Sequence, residues 1–296
     1  MRRWVVPNLV SPTLSLSAAA SWGAADFSGG LATKRSNVFG VVVIAHGIGL
    51  LFMLVLAVLA REHLPAWSSL LWGIAAGSVG GAGLACLYKA LAVGKMGLTA
   101  PLSAVISALI PVVFSFSTAG LPRGVQLFGF GLAIVSIWLI AMQRRSSSES
   151  KGLGLAVAAG FGLGGFLLFI RFAGTQAVFW PLVAARAASF ALMTLILLKR
   201  RLLSAGDQQL IAKPESWKPV PGVLHYILVA GILDSAANAL YVAAAQRGRL
   251  DVAAVLSSLY PASTVILARV VLKERWSRLQ ALGMVAALAA VPLVAR

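Results

Sequence analysis

The chain has 296 residues, of which 59% are hydrophobic and only 11% charged, with a mean hydropathy of +0.91; a soluble domain carries about a quarter charged residues. That composition excludes an ordinary soluble protein and predicts a membrane protein. The 25 Lys and Arg against 8 Asp and Glu give a net charge of +17, but the basic residues lie in short clusters between apolar runs, so the partner they indicate is a lipid bilayer with anionic head groups and not nucleic acid.

About 20 apolar residues are needed per membrane span, and ten runs meet that need, roughly 14–33, 38–60, 66–93, 97–119, 124–143, 152–173, 179–198, 221–245, 250–272 and 277–295. The first follows "MRRWVV" and contains "SAAAS", a pattern that also suits a signal peptide; a counterpart later in the chain favours a span. Within it, Trp22 and Asp26 are one helical turn apart and share a face. The third run, "GIAAGSVGGAGLA", sets Gly73, Gly77, Gly81 and Ala85 four apart, a face for close helix packing. In the sixth, Gly160, Gly162 and Gly165 satisfy a G-x-G-x-x-G pattern. No strand precedes them, so helix packing and not a dinucleotide is the expected use. The eighth run holds "GILDSAANALY", where Asp234, Asn238 and Tyr241 fall on one stripe. An unpaired aspartate at the centre of a span costs about 2.5–3.5 kcal/mol, so the stripe must face other helices or a water-filled cavity.

The ten runs fall into two sets of five. "LYKALAVGKMG" from Leu87 faces "LYVAAAQRGRL" from Leu240, "SALIPVV" around Pro111 faces "SSLYPAS" around Pro261, and His46 aligns with Arg186. These matches keep one order along the chain, which predicts a duplicated five-helix unit, 1–143 and 152–296, joined by a linker at 144–151. Five is odd, so the second unit enters the membrane from the opposite side, the inverted-repeat layout of many secondary transporters. The fold class expected is therefore an all-α, multi-pass integral membrane protein of the cell membrane.

Candidate site residues follow from burial cost: Asp234, Asn238, Asp26, Trp22, Tyr88, Tyr241, Tyr260 and Arg171 for substrate binding or proton coupling. Tyr88 and Tyr241 occupy corresponding places in the two units. Arg171 and Arg186 are possible partners of the aspartates, Arg171 close enough to a boundary to snorkel; Arg186 is read as slightly more structural than functional. Pro111 and Pro261 each remove a helical hydrogen bond, with Ser103 and Ser107 before the first and Ser257, Ser258 and Tyr260 before the second, so they are read as paired kinks with a gating role. The single Cys86 excludes an internal disulfide and a cysteine-based metal cluster. His46, His63 and His225 lack the i, i+4 spacing of a helical metal pair. No metal, no cofactor and no enzymatic activity are expected.

The closing segment "AAVLSSLYPASTVILARVVLKERWSRLQALGMVAALAAV", with its Pro-containing ninth helix, its turn at Lys273, Glu274 and Arg275 and its "LQALG" opening of the tenth, resembles the EamA-type branch of the drug/metabolite transporter superfamily. The resemblance implies a central cavity lined by helices one, three, four, six, eight and nine. It implies movement of a small-molecule substrate, often export of amino acids or related compounds, by facilitated or proton-coupled transport. A non-transporting scaffold or receptor is the alternative, and a membrane-embedded enzyme a more distant one. Orientation divides the two lines of reasoning: Lys and Arg concentrate in the odd-numbered connections, which puts both termini outside, whereas the resemblance implies both inside. Substrate, direction, coupling ion and oligomeric state stay open in the sequence.

Overall fold

The computed structural model describes residues 9–93, 96–141, 152–175, 177–206, 222–271, 273 and 277–294. These form α1 (Val10–Thr33), α2 (Val38–Leu59), α3 (Trp67–Val93), α4 (Met96–Ala119), α5 (Gly124–Ala141), α6 (Leu153–Ala173), α7 (Phe179–Gly206), α8 (Leu224–Arg247), α9 (Leu250–Ser257), α10 (Tyr260–Val271) and α11 (Arg278–Val294). The expected linker at 144–151, and Glu274 and Arg275 of the Lys-Glu-Arg turn, lie outside the described residues.

Apart from short connections the described residues are helical, with no strand. Seven stretches are long and apolar enough to cross a membrane, the last of them running through α9 and α10 from Leu250 to Val271. Two shorter apolar helices, Gly124–Leu139 and Ala281–Val294, accompany them. α1 is long enough but falls outside the seven because Ser, Gly and Asp26 lower its hydropathy. Its position explains how it tolerates them, since α3, α8, α9 and α10 pack around it.

Two departures from the predicted elements have local causes. The seventh helix continues to Gly206, past the Lys199 where apolar character stops, because Lys, Arg and Leu are good helix formers. The predicted ninth helix is two pieces: α9 stops at Ser257 and α10 starts at Tyr260, with Pro261 in its first turn, where a missing N–H is harmless. By contrast α4 runs through Pro111 without interruption. Ser107 Oγ donates to the Ala104 carbonyl (3.0 Å), and Ser103 Oγ to the carbonyls of Thr99 (3.0 Å) and Ala156 on α6 (2.8 Å). The two prolines thus sit in different local structures.

Small residues set the helix spacing. Gly77 lies so close to the Ala185 backbone carbonyl that a Cβ would overlap it, and Gly73 and Gly81 meet Pro181 and Ser189 of the same helix one turn to either side. Gly83 and Gly162 face each other where α3 crosses α6, and Gly160 and Gly164 lie against Ser103 and Ser107 of α4. The G-x-G-x-x-G pattern is therefore spent on helix packing. Without a hydrophobic drive between helices in lipid, such close backbone approach supplies the van der Waals contact that holds them together.

Candidate functional site

A cavity lies between α1, α2, α3, α4, α6, α7, α8 and α10. Its polar wall is Trp22 and Asp26 from α1, His46 from α2, Arg186 and Ser189 from α7, Asp234 and Asn238 from α8, with Ser107, Ser258 and Tyr260. Gly77, Gly80 and Gly81 line it on the α3 side, and Leu163, Phe166, Leu167 and Leu182 form apolar wall.

Each charged group is placed by a local feature. Asp26 and Trp22 face inward together because they are one turn apart on α1, and Asp234 and Asn238 do the same on α8. Arg186 Nη2 donates to Asp234 Oδ2 at 2.5 Å, and the two side chains are only 7% and 12% exposed. Such a pair is tolerated in a low-dielectric interior because each charge supplies the other's counter-ion. Trp22 Nε1 donates to Asn238 Oδ1 (3.2 Å), which ties α1 to α8 across the cavity wall, and the Trp22 ring packs 5.8 Å from that of Tyr241. His46 Nδ1 and Ser189 Oγ share a hydrogen bond, while His46 Nε2 and Ser235 Oγ are buried without a protein partner. Asp26 is 5% exposed, lies within electrostatic reach of Asp234, Tyr88 and Tyr260, and is not reached by a donor among the described residues.

The α7 segment that carries Arg186 and Ser189 is fixed from a distance. At the end of α2, Arg61 N–H bonds to the Val58 carbonyl (3.0 Å) and Glu62 N–H to the Ala57 carbonyl (3.1 Å), a Schellman turn with Arg61 at φ 50° where glycine is usual. The turn delivers the Glu62 carboxylate to the start of α7. There it accepts from the backbone N–H groups of Val178 (2.6 Å), Phe179 (2.8 Å) and Trp180 (2.9 Å), and Trp180 Nε1 donates to the Glu62 carbonyl (2.8 Å). A carboxylate at a helix N-terminus satisfies orphan donors and complements the helix dipole.

Of the residues singled out in the sequence, Trp22, Asp26, Asp234, Asn238 and Tyr260 line the cavity. Tyr88 and Tyr241 are fully buried behind its wall; Tyr241 Oη donates to the Leu167 carbonyl (3.3 Å), and Tyr88 packs against Gly29. Arg171 is half-buried in the last turn of α6 and does not line the cavity, so the guanidinium that meets Asp234 is that of Arg186. Pro111 is buried inside α4 and Pro261 in the first turn of α10. Ser189 and Glu62 have no signal of this kind in the sequence, and His46 has one only as the counterpart of Arg186, a cationic side chain that could pair with a carboxylate or hold helices in register. For His46 the alignment with Arg186 was a usable signal; for Glu62 nothing local points to a helix start that lies 116 residues away.

Residues 150–296 match the sequence model of the EamA-like transporter family. The chain belongs to this family. The family is part of the drug/metabolite transporter superfamily, so this EamA-like chain is a multi-pass membrane transporter of that type. A solved crystal structure shares its fold at a TM-score of 0.70, with 18% identity over 96% of this chain and 95% of that one. No curated protein matches the sequence.

Proposed function

We propose that this EamA-like chain is a secondary transporter of the cell membrane that exports a small metabolite, an amino acid or a related compound with a cationic group, by alternating access. In this reading the cavity is the substrate site, and its carboxylates hold the substrate's cationic group or the coupling proton. The observation that carries it is the make-up of the cavity wall. It is drawn from both halves of the chain and places two aspartates, one arginine and a histidine together inside a bundle of apolar helices, where ionisable groups are costly and mark substrate or ion pathways.

Two inverted five-helix repeats are the architecture proposed for this motion, and the helix pairings support it. Exchanging the halves turns the α3–α6 contact into α8–α1, α3–α7 into α8–α2, and α4–α6 into the contact of α9 and α10 with α1; every one of these pairs is present. The fine contacts follow the same exchange. Gly77 meets the Ala185 carbonyl, as Gly231 meets that of Ala45. A bundle whose halves can trade conformations has two equivalent closed arrangements, one sealing each membrane face.

The test is flux in proteoliposomes, using small metabolites first found to raise the thermal unfolding midpoint of the purified protein. Transport that saturates with concentration and falls in Asp234→Asn supports the reading. Binding with no flux for any compound would make the chain a scaffold or receptor, and unchanged flux and pH dependence in Asp234→Asn would remove that residue from the mechanism.

A further inference from the structure

We propose that the cavity selects an organic cation without a carboxylate, an ammonium group on an apolar body, and that Asp26 is its ion-pair partner. This rests on the reading of the cavity as the substrate site and narrows what that site accepts.

The charges facing the cavity do not balance. Asp26 and Asp234 contribute two carboxylates and Arg186 one guanidinium. His46 shares a hydrogen bond with Ser189, and both belong with Arg186 to the cavity wall. Arg186 is committed to Asp234. That leaves Asp26, 5% exposed and facing the cavity, with no cation and no hydrogen-bond donor from the described residues, and with Asp234 adding a second negative charge within reach. A carboxylate held away from water takes up a proton or pairs with a counter-charge; among the described residues none pairs with Asp26, so an ammonium group in the cavity is the partner that would hold it ionised.

The surroundings fit the rest of such a ligand. Trp22 lies one turn before Asp26, its ring anchored through Nε1 to Asn238, and an ammonium group near an indole face gains cation–π attraction. Phe166, Leu163 and Leu182 offer an apolar wall for the body of the molecule. A zwitterion fits less well. Its carboxylate would have to draw Arg186 from Asp234, stranding a buried charge, or lie unpaired in a cavity that is already negative. Amino acids are thereby disfavoured relative to the corresponding amines.

Binding to the purified full-length chain in nanodiscs tests this, with three probes of one body plan: phenethylamine, phenylalanine and 3-phenylpropanoate. The expected result is phenethylamine bound at least about tenfold more tightly than either of the others. Asp26→Asn should weaken it by about tenfold or more, and Asp26→Glu should restore most of the affinity; size-exclusion profile and unfolding midpoint establish that each variant is folded. Equal or tighter binding of phenylalanine or 3-phenylpropanoate overturns the proposal, as does undiminished phenethylamine binding in folded Asp26→Asn. If Asp26→Asn does not fold, Asp26→Ser takes its place with the same expected loss, and undiminished phenethylamine binding in folded Asp26→Ser overturns the proposal. The transport reading fails separately: Asp26-dependent amine binding without flux leaves this selectivity intact, whereas flux of phenylalanine in preference to the amine leaves transport intact and removes the selectivity.

Discussion

The contact of α3 with α7 and that of α8 with α2 are built on one plan and carry different chemistry. In the first, Gly77 admits the Ala185 carbonyl and, one turn on, Gly81 admits the Ser189 side chain; in the second, Gly231 admits the Ala45 carbonyl and Gly49 admits the Ser235 side chain. The backbone approach is repeated, and the glycine and serine at the second level change sides. The charges are not repeated. Arg186 of α7 aligns with His46 of α2, and Asp234 of α8 has only Gly80 or Gly81 of α3 at the matching place. The close backbone approach is present at both contacts, while the charged groups that face the cavity differ between them.

The sharpest way to break this comparison is to remove the ion pair of Arg186 and Asp234. Arg186→Met leaves the Asp234 carboxylate buried without a counter-ion and should lower stability by about 3–5 kcal/mol; adding Asp234→Leu should recover most of it. Chemical unfolding in detergent measures both, and an Arg186→Met protein as stable as wild type would show that the pair is not the counter-ion arrangement described. Next in size are the matched glycines. Gly77→Ala and Gly231→Ala each force a Cβ into a backbone carbonyl and should cost about 1–3 kcal/mol, by similar amounts if the two contacts are equivalent, whereas Gly131→Ala, with nothing near its Cβ position, should be neutral or stabilising.

The start of the two corresponding helices offers a smaller difference. α2 is capped locally by Asn37, whose Oδ1 accepts from the N–H groups of Phe39 (2.9 Å) and Gly40 (3.3 Å); α7 is capped by Glu62 from the other half of the chain. Glu62→Gln should cost about 1.5–3 kcal/mol through loss of charge-assisted bonds, and hydrogen exchange at Val178, Phe179 and Trp180 should rise with it. A change confined to α2 and α3 would contradict the cross-half cap. Smallest is Asn238→Leu, which removes the acceptor of Trp22 Nε1 and should cost about 1 kcal/mol, read in chemical unfolding; stability unchanged or raised would contradict a contribution from that bond.

Helix limits were legible because span length follows from bilayer thickness, and the runs at 38–60 and 66–93 end within a residue or so of α2 and α3. The break before Pro261 was legible as a disturbance, and the uninterrupted course of α4 through Pro111 was not, since the same residue is accommodated differently inside a helix and at its start. Asp26, Asp234 and Asn238 could be singled out because a polar group in an apolar run has to be explained. Which arginine meets Asp234 could not, because the choice between Arg171 and Arg186 depends on how α6 and α7 rotate against α8. The His46–Ser189 bond and the Glu62 cap join residues 143 and 116 positions apart and have no local pattern.

The central claim, a cavity that opens in turn to each side of the membrane, is tested most directly by side-specific thiol labelling. Cys86 is replaced by Ser, a single cysteine is placed at Leu163 in the cavity wall, and a membrane-impermeant maleimide is applied to right-side-out and to inside-out vesicles. Alternating access predicts labelling from both sides, with a ligand that occupies the cavity slowing both. Labelling from one side only, unchanged by ligand, would contradict it.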